Sequence, residues 1–202
     1  MVASTRPGSA NAPQVIRRQR PNIVLIGAAV FIVSESMFFM GLFMAYFYLR
    51  ADTTVITPSN QPAHPSIVLP LINTLILAVS VAAMTWAERS IARNSRRQLV
   101  IGTAIAAGLG LVFLAVQSVE FASLASVGFT PSSSAFGSTF FALLLFHVLR
   151  VFAGIAFMVI VLIRALIGQF SQNRRSAVQA CTLYWYFIAV VWLVVFAVLY
   201  SS

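Results

Sequence analysis

The sequence predicts an all-α integral membrane protein, a bundle of five transmembrane helices with no second folded domain. Three observations predict it. Of the 202 residues 60% are hydrophobic and only 8% are charged, a balance outside the range of soluble globular domains. The apolar residues gather into five runs, each long enough to cross a ~30 Å hydrocarbon core as a helix rising roughly 1.5 Å per residue. All thirteen cationic residues are arginine, and all but one sit between or before the runs, where their charge stays in water or among head groups.

Residues 1 to 20 are rich in Ser, Ala, Pro and Gln and end in Arg17, Arg18 and Arg20. They read as a short disordered tail. The run that follows, Ile23 to Tyr48, is 26 residues long, well beyond the apolar stretch of a signal peptide and unbroken by a small-residue cleavage site. It is expected to be a retained first helix. Ile67 to Trp86, Leu99 to Val119, Phe136 to Ile163 and Ala180 to Tyr200 supply the other four. The links at 49–66 and 120–135 contain Pro58, Pro62, Pro65 and Pro131 with several Ser and Thr, which is loop chemistry. The organisation expected is thus a tail, 1–20, and one membrane domain, 21–202. Small residues recur at helical spacing in Gly102, Ala106 and Gly110, and again at Gly41 and Ala45, so two helices carry faces that permit close backbone approach.

Charge alternates from link to link. The links at 87–98 and 164–179 carry Arg89, Arg93, Arg96, Arg97, Arg164, Arg174 and Arg175, and the tail adds Arg6, Arg17, Arg18 and Arg20. The other two links carry only Arg50. Arginine is retained on the cytoplasmic side during insertion, so the N-terminus is expected to be cytoplasmic and the C-terminus outside. The formal charge of +9 would suggest a nucleic-acid partner in a soluble protein. Here the arginines are divided among membrane borders instead of gathered on one aromatic-lined face, and no nucleic-acid partner is expected. Cys181 is the only cysteine; it offers neither a disulfide nor a second soft ligand and reads as a packing residue.

Polar residues inside the runs are the candidates for function. Glu35 lies fifteen residues after Arg20, roughly 22 Å from the cytoplasmic border. A carboxyl group there must be protonated, paired or hydrated. Arg150 lies fourteen residues before Arg164, roughly 21 Å from the same border and within one turn of Glu35 in depth. The two are expected to be close enough to pair, and His147, one turn away on the same helix, is a second candidate partner for Glu35. Gln117 and Glu120, near the outer end of the third run, form a second polar spot, expected to be more easily solvated. Metal chemistry fails on ligand count. A haem-copper centre needs several imidazoles, whereas this chain has only His64, in an outer link, and His147. Neither a nucleophile elbow, a phosphate loop nor a carboxylate pair is present. The chain alone is expected to hold no haem or metal and to have no catalytic residues.

Several segments resemble subunit III of cytochrome c oxidases and related quinol oxidases. Ser34-Glu35-Ser36-Met37-Phe38-Phe39 followed by Gly41-Leu42-Phe43 resembles the family's S-E-x-x-F-F-x-G-x-F. Pro70-Leu71-Ile72-Asn73-Thr74 is similar to its P-L-x-N-T, and Thr85-Trp86-Ala87 to the end of that helix. Gln117 to Glu120 resembles its Q-x-x-E, and Tyr184-Trp185 with Val190-Val191-Trp192-Leu193 its final aromatic helix. Gly137-Ser138-Thr139-Phe140-Phe141, then Phe146-His147 and Val151, is similar to G-S-T-F-F…F-H-G-L-H-V. Here Val148 stands for the family's glycine and Arg150 for its second histidine; Tyr186 and Ala189 replace a histidine and an aspartate of the last helix. These segments stand in the right order on the right helices, and the resemblance covers nearly all of 21–200. Five helices in place of seven resembles the short bacterial form.

The resemblance implies a non-catalytic subunit of a haem-copper terminal oxidase in a bacterial plasma membrane. It implies packing on subunit I in company with other subunits such as subunit II, which hold the haem and copper. It also implies bound phospholipid, contacted by Arg164, Trp86 and Trp185, and support for oxygen access and sustained proton-coupled turnover in aerobic respiration. Two alternatives stay open: an accessory protein of a quinol oxidase or nitric oxide reductase, and a small transporter subunit using Glu35 and Arg150 as a midplane relay. The orientation is testable on its own. With Cys181 replaced by Ala, an impermeant thiol reagent should reach Ser95→Cys and Ser133→Cys from opposite sides of the membrane, and labelling of both from one side would overturn the topology.

Overall fold

In the computed structural model the described residues are 23–51, 67–93, 95–126, 128, 130, 135–168, 170 and 175–200. The tail 1–20, most of the proline-bearing outer links and His64 lie outside them. Five helices form: α1 (Ile23–Ala51), α2 (Val68–Ala92), α3 (Arg96–Ser126), α4 (Ala135–Ile167) and α5 (Ser176–Tyr200). All five are long and apolar enough to cross a membrane, so the chain is a multi-pass membrane protein. Each helix outruns its apolar run by a few residues, because helix continues through the head-group region where hydropathy no longer marks it. Gly128 and Gly168, at φ of 81° and 83°, end α3 and α4. Their N–H groups donate to Ala125 O and Ala165 O, both at 3.1 Å, in the left-handed conformation that glycine adopts without steric penalty.

Four of the helices close a ring. α2 packs on α3, α3 on α4, α4 on α5, and α5 returns to α2, while α1 lies outside against α4 and α5 only. The sequence periods explain the ring. α2 buries Asn73, Leu77, Ser80, Met84, Ala87 and Ile91, a strict four-then-three spacing that keeps one stripe inward. α3 does the same with Leu99, Thr103, Ala106, Gly110, Phe113, Gln117, Glu120 and Leu124. By contrast α1 buries only Phe39 and Tyr46.

Glycine sets how close the ring helices come. A Cβ on Gly102 would lie 2.8 Å from Ala87 Cβ and 3.1 Å from Ala83 O, and one on Gly154 would lie 2.8 Å from both Ile188 Cδ1 and Trp185 Cζ3. Thus α2 meets α3 backbone to backbone, and the six-membered ring of Trp185 occupies the space that Gly154 and Gly110 leave empty. The seam at Gly102, Ala106 and Gly110 is used inside the chain. The one at Gly41 and Ala45 is not: both residues are exposed, and nothing stands within 4 Å of a Cβ built on Gly41. On the arginine-rich end Arg96, opening α3, reaches across to the last turn of α4, donating from Nε to Ala165 O at 2.7 Å and from Nη2 to Leu166 O. A cation there meets the carbonyls of the last turn, Ala165 O in addition to its bond from Gly168 N–H, and the negative end of the helix dipole.

Candidate functional site

The charged pair at mid-membrane joins α1 to the ring. Arg150 Nε of α4 donates to Glu35 Oε2 of α1. The guanidinium carbon lies 4.0 Å from the Phe39 ring centroid and 5.3 Å from that of Phe38, and Phe38 meets Phe146 edge-on at 4.8 Å. The cation is therefore held between a carboxylate and aromatic faces, the two environments that stabilise it where water is absent. Arg150 is 8% exposed. Glu35 keeps 23% of its side chain exposed on the flank of α1.

His147 does not join them. Three residues apart, positions 147 and 150 project about 60° from each other around a helix, enough to send Arg150 to α1 and His147 into the ring. Its imidazole lies 5.0 Å from the Trp192 ring and 5.9 Å from Phe113, fully buried. Neither ring nitrogen has a hydrogen-bond partner among the described residues. Of the three residues expected at this site, two meet and the third belongs to the core.

The outer polar spot is buried rather than easily solvated, which corrects the expectation from sequence. Gln117 is 1% exposed and Glu120 5%. Both share the inward stripe of α3 with Phe113 and Leu124, so they point into the ring even though they lie near its end. Gln117 Nε2 donates to Glu120 Oε2 at 2.8 Å, and Asn73 Nδ2 of α2 donates to Gln117 Oε1 at 3.2 Å. Asn73 is the member that reading the chain for ionisable groups misses; its signal was the Pro70-to-Thr74 segment. The network satisfies Gln117 on both its amide atoms and leaves Asn73 Oδ1 without a partner among the described residues.

Trp185 is a packing residue and not a lipid contact. It is 1% exposed, and its Nε1 donates at 3.1 Å to Ser80 Oγ, which donates in turn at 2.9 Å to Ala106 O. Packed against Gly110 and Gly154, it leaves no surface for a lipid. One heptad on, Trp192 Nε1 donates to Thr74 Oγ1 at 3.0 Å, and its ring meets Phe113 at 4.9 Å. The other two residues expected to contact lipid are exposed. Trp86 is 44% exposed, and Arg164, at the arginine-rich end of α4, lies 5.3 Å from the Phe170 ring. Tyr186 hydrogen-bonds Thr85 at 2.6 Å between the two hydroxyl oxygens.

Chemically these groups serve to hold helices. Among the described residues no three His, Cys, Asp or Glu side chains converge. An open groove of about 260 Å³ between α3 and α4 is lined by Leu114, Phe121, Leu145, Val148, Leu149 and Phe152, with Gln117 and Ser118 its polar members. Ser118 Oγ donates to Ala115 O, and Gln117 is bound as described.

Comparison with known proteins gives one family. The family model described as cytochrome c oxidase subunit III matches residues 20–202. The chain is 34% identical over 180 residues to cytochrome c oxidase subunit 3 of Tachyglossus aculeatus aculeatus, covering 86% of the chain and 67% of that protein. It is 37% identical over 179 residues to cytochrome c oxidase subunit 3 of Marchantia polymorpha, covering 86% of the chain and 66% of the relative. The corresponding protein of Triticum aestivum is also 37% identical over 179 residues, with the same coverage.

The Glu35–Arg150 pair predicts strong non-additivity. Glu35→Gln or Arg150→Leu alone leaves one charge in hydrocarbon, whereas the double variant leaves none. In a double-mutant cycle scored by thermal unfolding in detergent, the coupling should reach at least about 1 kcal/mol. Additive losses would show that the two side chains do not stabilise each other.

Proposed function

The chain belongs to the cytochrome c oxidase subunit III family, and we propose that it is a non-catalytic subunit of a haem-copper terminal oxidase. In this reading it packs against subunit I, in company with subunit II, in the plasma membrane of a bacterium. Haem and copper reside in those partners. The arginine distribution supports an orientation with the N-terminus and the arginine-rich ends of α2, α3 and α4 cytoplasmic. The observation that carries the reading is the use of the family-like residues: Glu35, Asn73, Gln117, Glu120 and Trp192 are each bonded to a neighbouring side chain. They organise the bundle instead of facing a substrate.

Bound phospholipid belongs to the same proposal. Trp86 and Arg164 are exposed on the arginine-rich half of the bundle, where an anionic head group would meet Arg164 and its acyl chains the apolar flanks. The subunit would support oxygen access and sustained proton-coupled turnover through such lipids and through its grip on subunit I. A transporter reading is weaker, because the charges it would use as a relay, Glu35 and Arg150, are bonded to each other. Arg150 and Tyr186, which depart from the family's pattern, favour keeping a quinol oxidase or nitric oxide reductase complex as the second reading.

Purification of the tagged protein from its native membrane in mild detergent tests the proposal. A reduced-minus-oxidised difference spectrum of the product should show haem in fixed ratio to the subunit. Haem-free protein, in a preparation whose membranes retain haem oxidase, would contradict it.

A further inference from the structure

Polar groups inside the ring share one layer. Trp185 of α5 touches Ser80 of α2, Gly110 of α3 and Gly154 of α4 in a single cross-section. Consecutive helices run in opposite directions, so one heptad toward the outer end brings Trp192, Asn73, Gln117 and His147 to a common level, roughly 10 Å further out. Their contacts agree with that level. Asn73 Nδ2 donates to Gln117 Oε1, the Trp192 ring lies 5.0 Å from that of His147, and all four residues are at most 1% exposed.

What the layer leaves unpaired is a matched set. Glu120 Oε2 accepts from Gln117 Nε2, so the Gln117 amide presents its oxygen to Asn73, which meets it with Nδ2. That assignment leaves Asn73 Oδ1, an acceptor, in excess. On α4 His147 has two ring nitrogens, and in either charge state at least one carries a hydrogen to donate. Asn73 Oδ1 and both His147 nitrogens are buried and have no hydrogen-bond partner among the described residues. A donor and an acceptor unpaired at one level of a dry interior require a ligand that accepts from the one and donates to the other.

We propose that this layer is the binding site of one internal water molecule, which accepts from the His147 imidazole and donates to Asn73 Oδ1. Water is the smallest molecule with both functions, and two polar partners meet what a buried water needs. A metal ion does not suit the donor set. One imidazole and one amide oxygen fall short of a coordination sphere, and no three His, Cys, Asp or Glu side chains converge among the described residues. The bridge has a consequence for the bundle. α2 and α4 are opposite members of the ring and do not pack on each other; the water joins them and extends the Glu120–Gln117–Asn73 network to α4. The inference rests on the packing of the ring and not on the oxidase reading.

Solid-state NMR of the full-length chain in lipid bilayers gives the test. His64 and His147 are its only histidines, so isotope-labelled histidine in a His64→Gln background reports His147 alone. The His147 N–H should show a cross-peak with water protons. Asn73→Leu should abolish that cross-peak, whereas Thr103→Val, which removes a buried unpaired hydroxyl two heptads away on α3, should leave it unchanged. Absence of the cross-peak from the unaltered layer, including a His147 N–H bonded directly to Asn73 without water, would overturn the proposal, as would its survival in Asn73→Leu. Infrared spectroscopy tests the same site without changing Asn73. On exchange into heavy-oxygen water, the protein should show an isotope-shifted O–H stretch of an isolated water, and His147→Phe, which keeps an aromatic ring and removes both nitrogens, should lack it. A band that persists in His147→Phe, or no band in the unaltered protein, would also overturn the proposal.

Discussion

A guanidinium in hydrocarbon must be met by an anion, and the placement of α1 follows from that requirement. Arg150 sits on the outer flank of the α2–α5 ring, and the ring supplies no carboxylate to that flank. Glu35 comes to it from α1, with Phe38 and Phe39 closing over the cation. Two further ring contacts hold the same helix. Tyr46 meets Phe136 at 5.2 Å and Phe31 meets Tyr184 at 5.8 Å. Dispersion at these contacts favours association but fixes neither depth nor rotation of an apolar helix among apolar neighbours. The ion pair fixes both.

The ring itself is built on a different device. Two tryptophans one heptad apart on α5 fill its centre, and each carries one polar atom that must be satisfied there. Ser80 and Thr74 of α2 accept those N–H groups, so α5 is bound in register to α2 although two helices separate them in the chain. Gly110 and Gly154 provide the space that the Trp185 indole needs. Substituting either glycine would force the indole away from Ser80, which couples close packing to polar satisfaction.

Much of this was legible in the sequence. Five apolar runs gave five helices, with ends displaced only where the helices continue into the interface. Matched counting of residues from the arginines placed Glu35 and Arg150 at one depth, and the structure joins them. The lateral arrangement was not legible. Run length and hydropathy say nothing about which helices touch, so neither the closed ring nor the outlying position of α1 followed from them. The environment of Gln117 and Glu120 was misread for a related reason: distance from the membrane midplane predicts hydration only for a residue on an outward face, and theirs is the inward stripe of α3. Trp185 was assigned to lipid on the family resemblance, whereas the glycines that receive it lie 75 and 31 residues earlier in the chain, too far for any local pattern to connect. The reach of Arg96 to α4 went unread as well, since it depends on where the next helix stands.

An ionised pair holds α1, and infrared spectroscopy observes that state directly. The difference spectrum of the purified protein minus its Glu35→Gln variant should contain the symmetric and antisymmetric stretches of a carboxylate together with perturbed guanidinium bands from Arg150. A carbonyl stretch of a protonated carboxylic acid, present in the unaltered protein and absent from the variant, would show Glu35 to be neutral and would contradict the account.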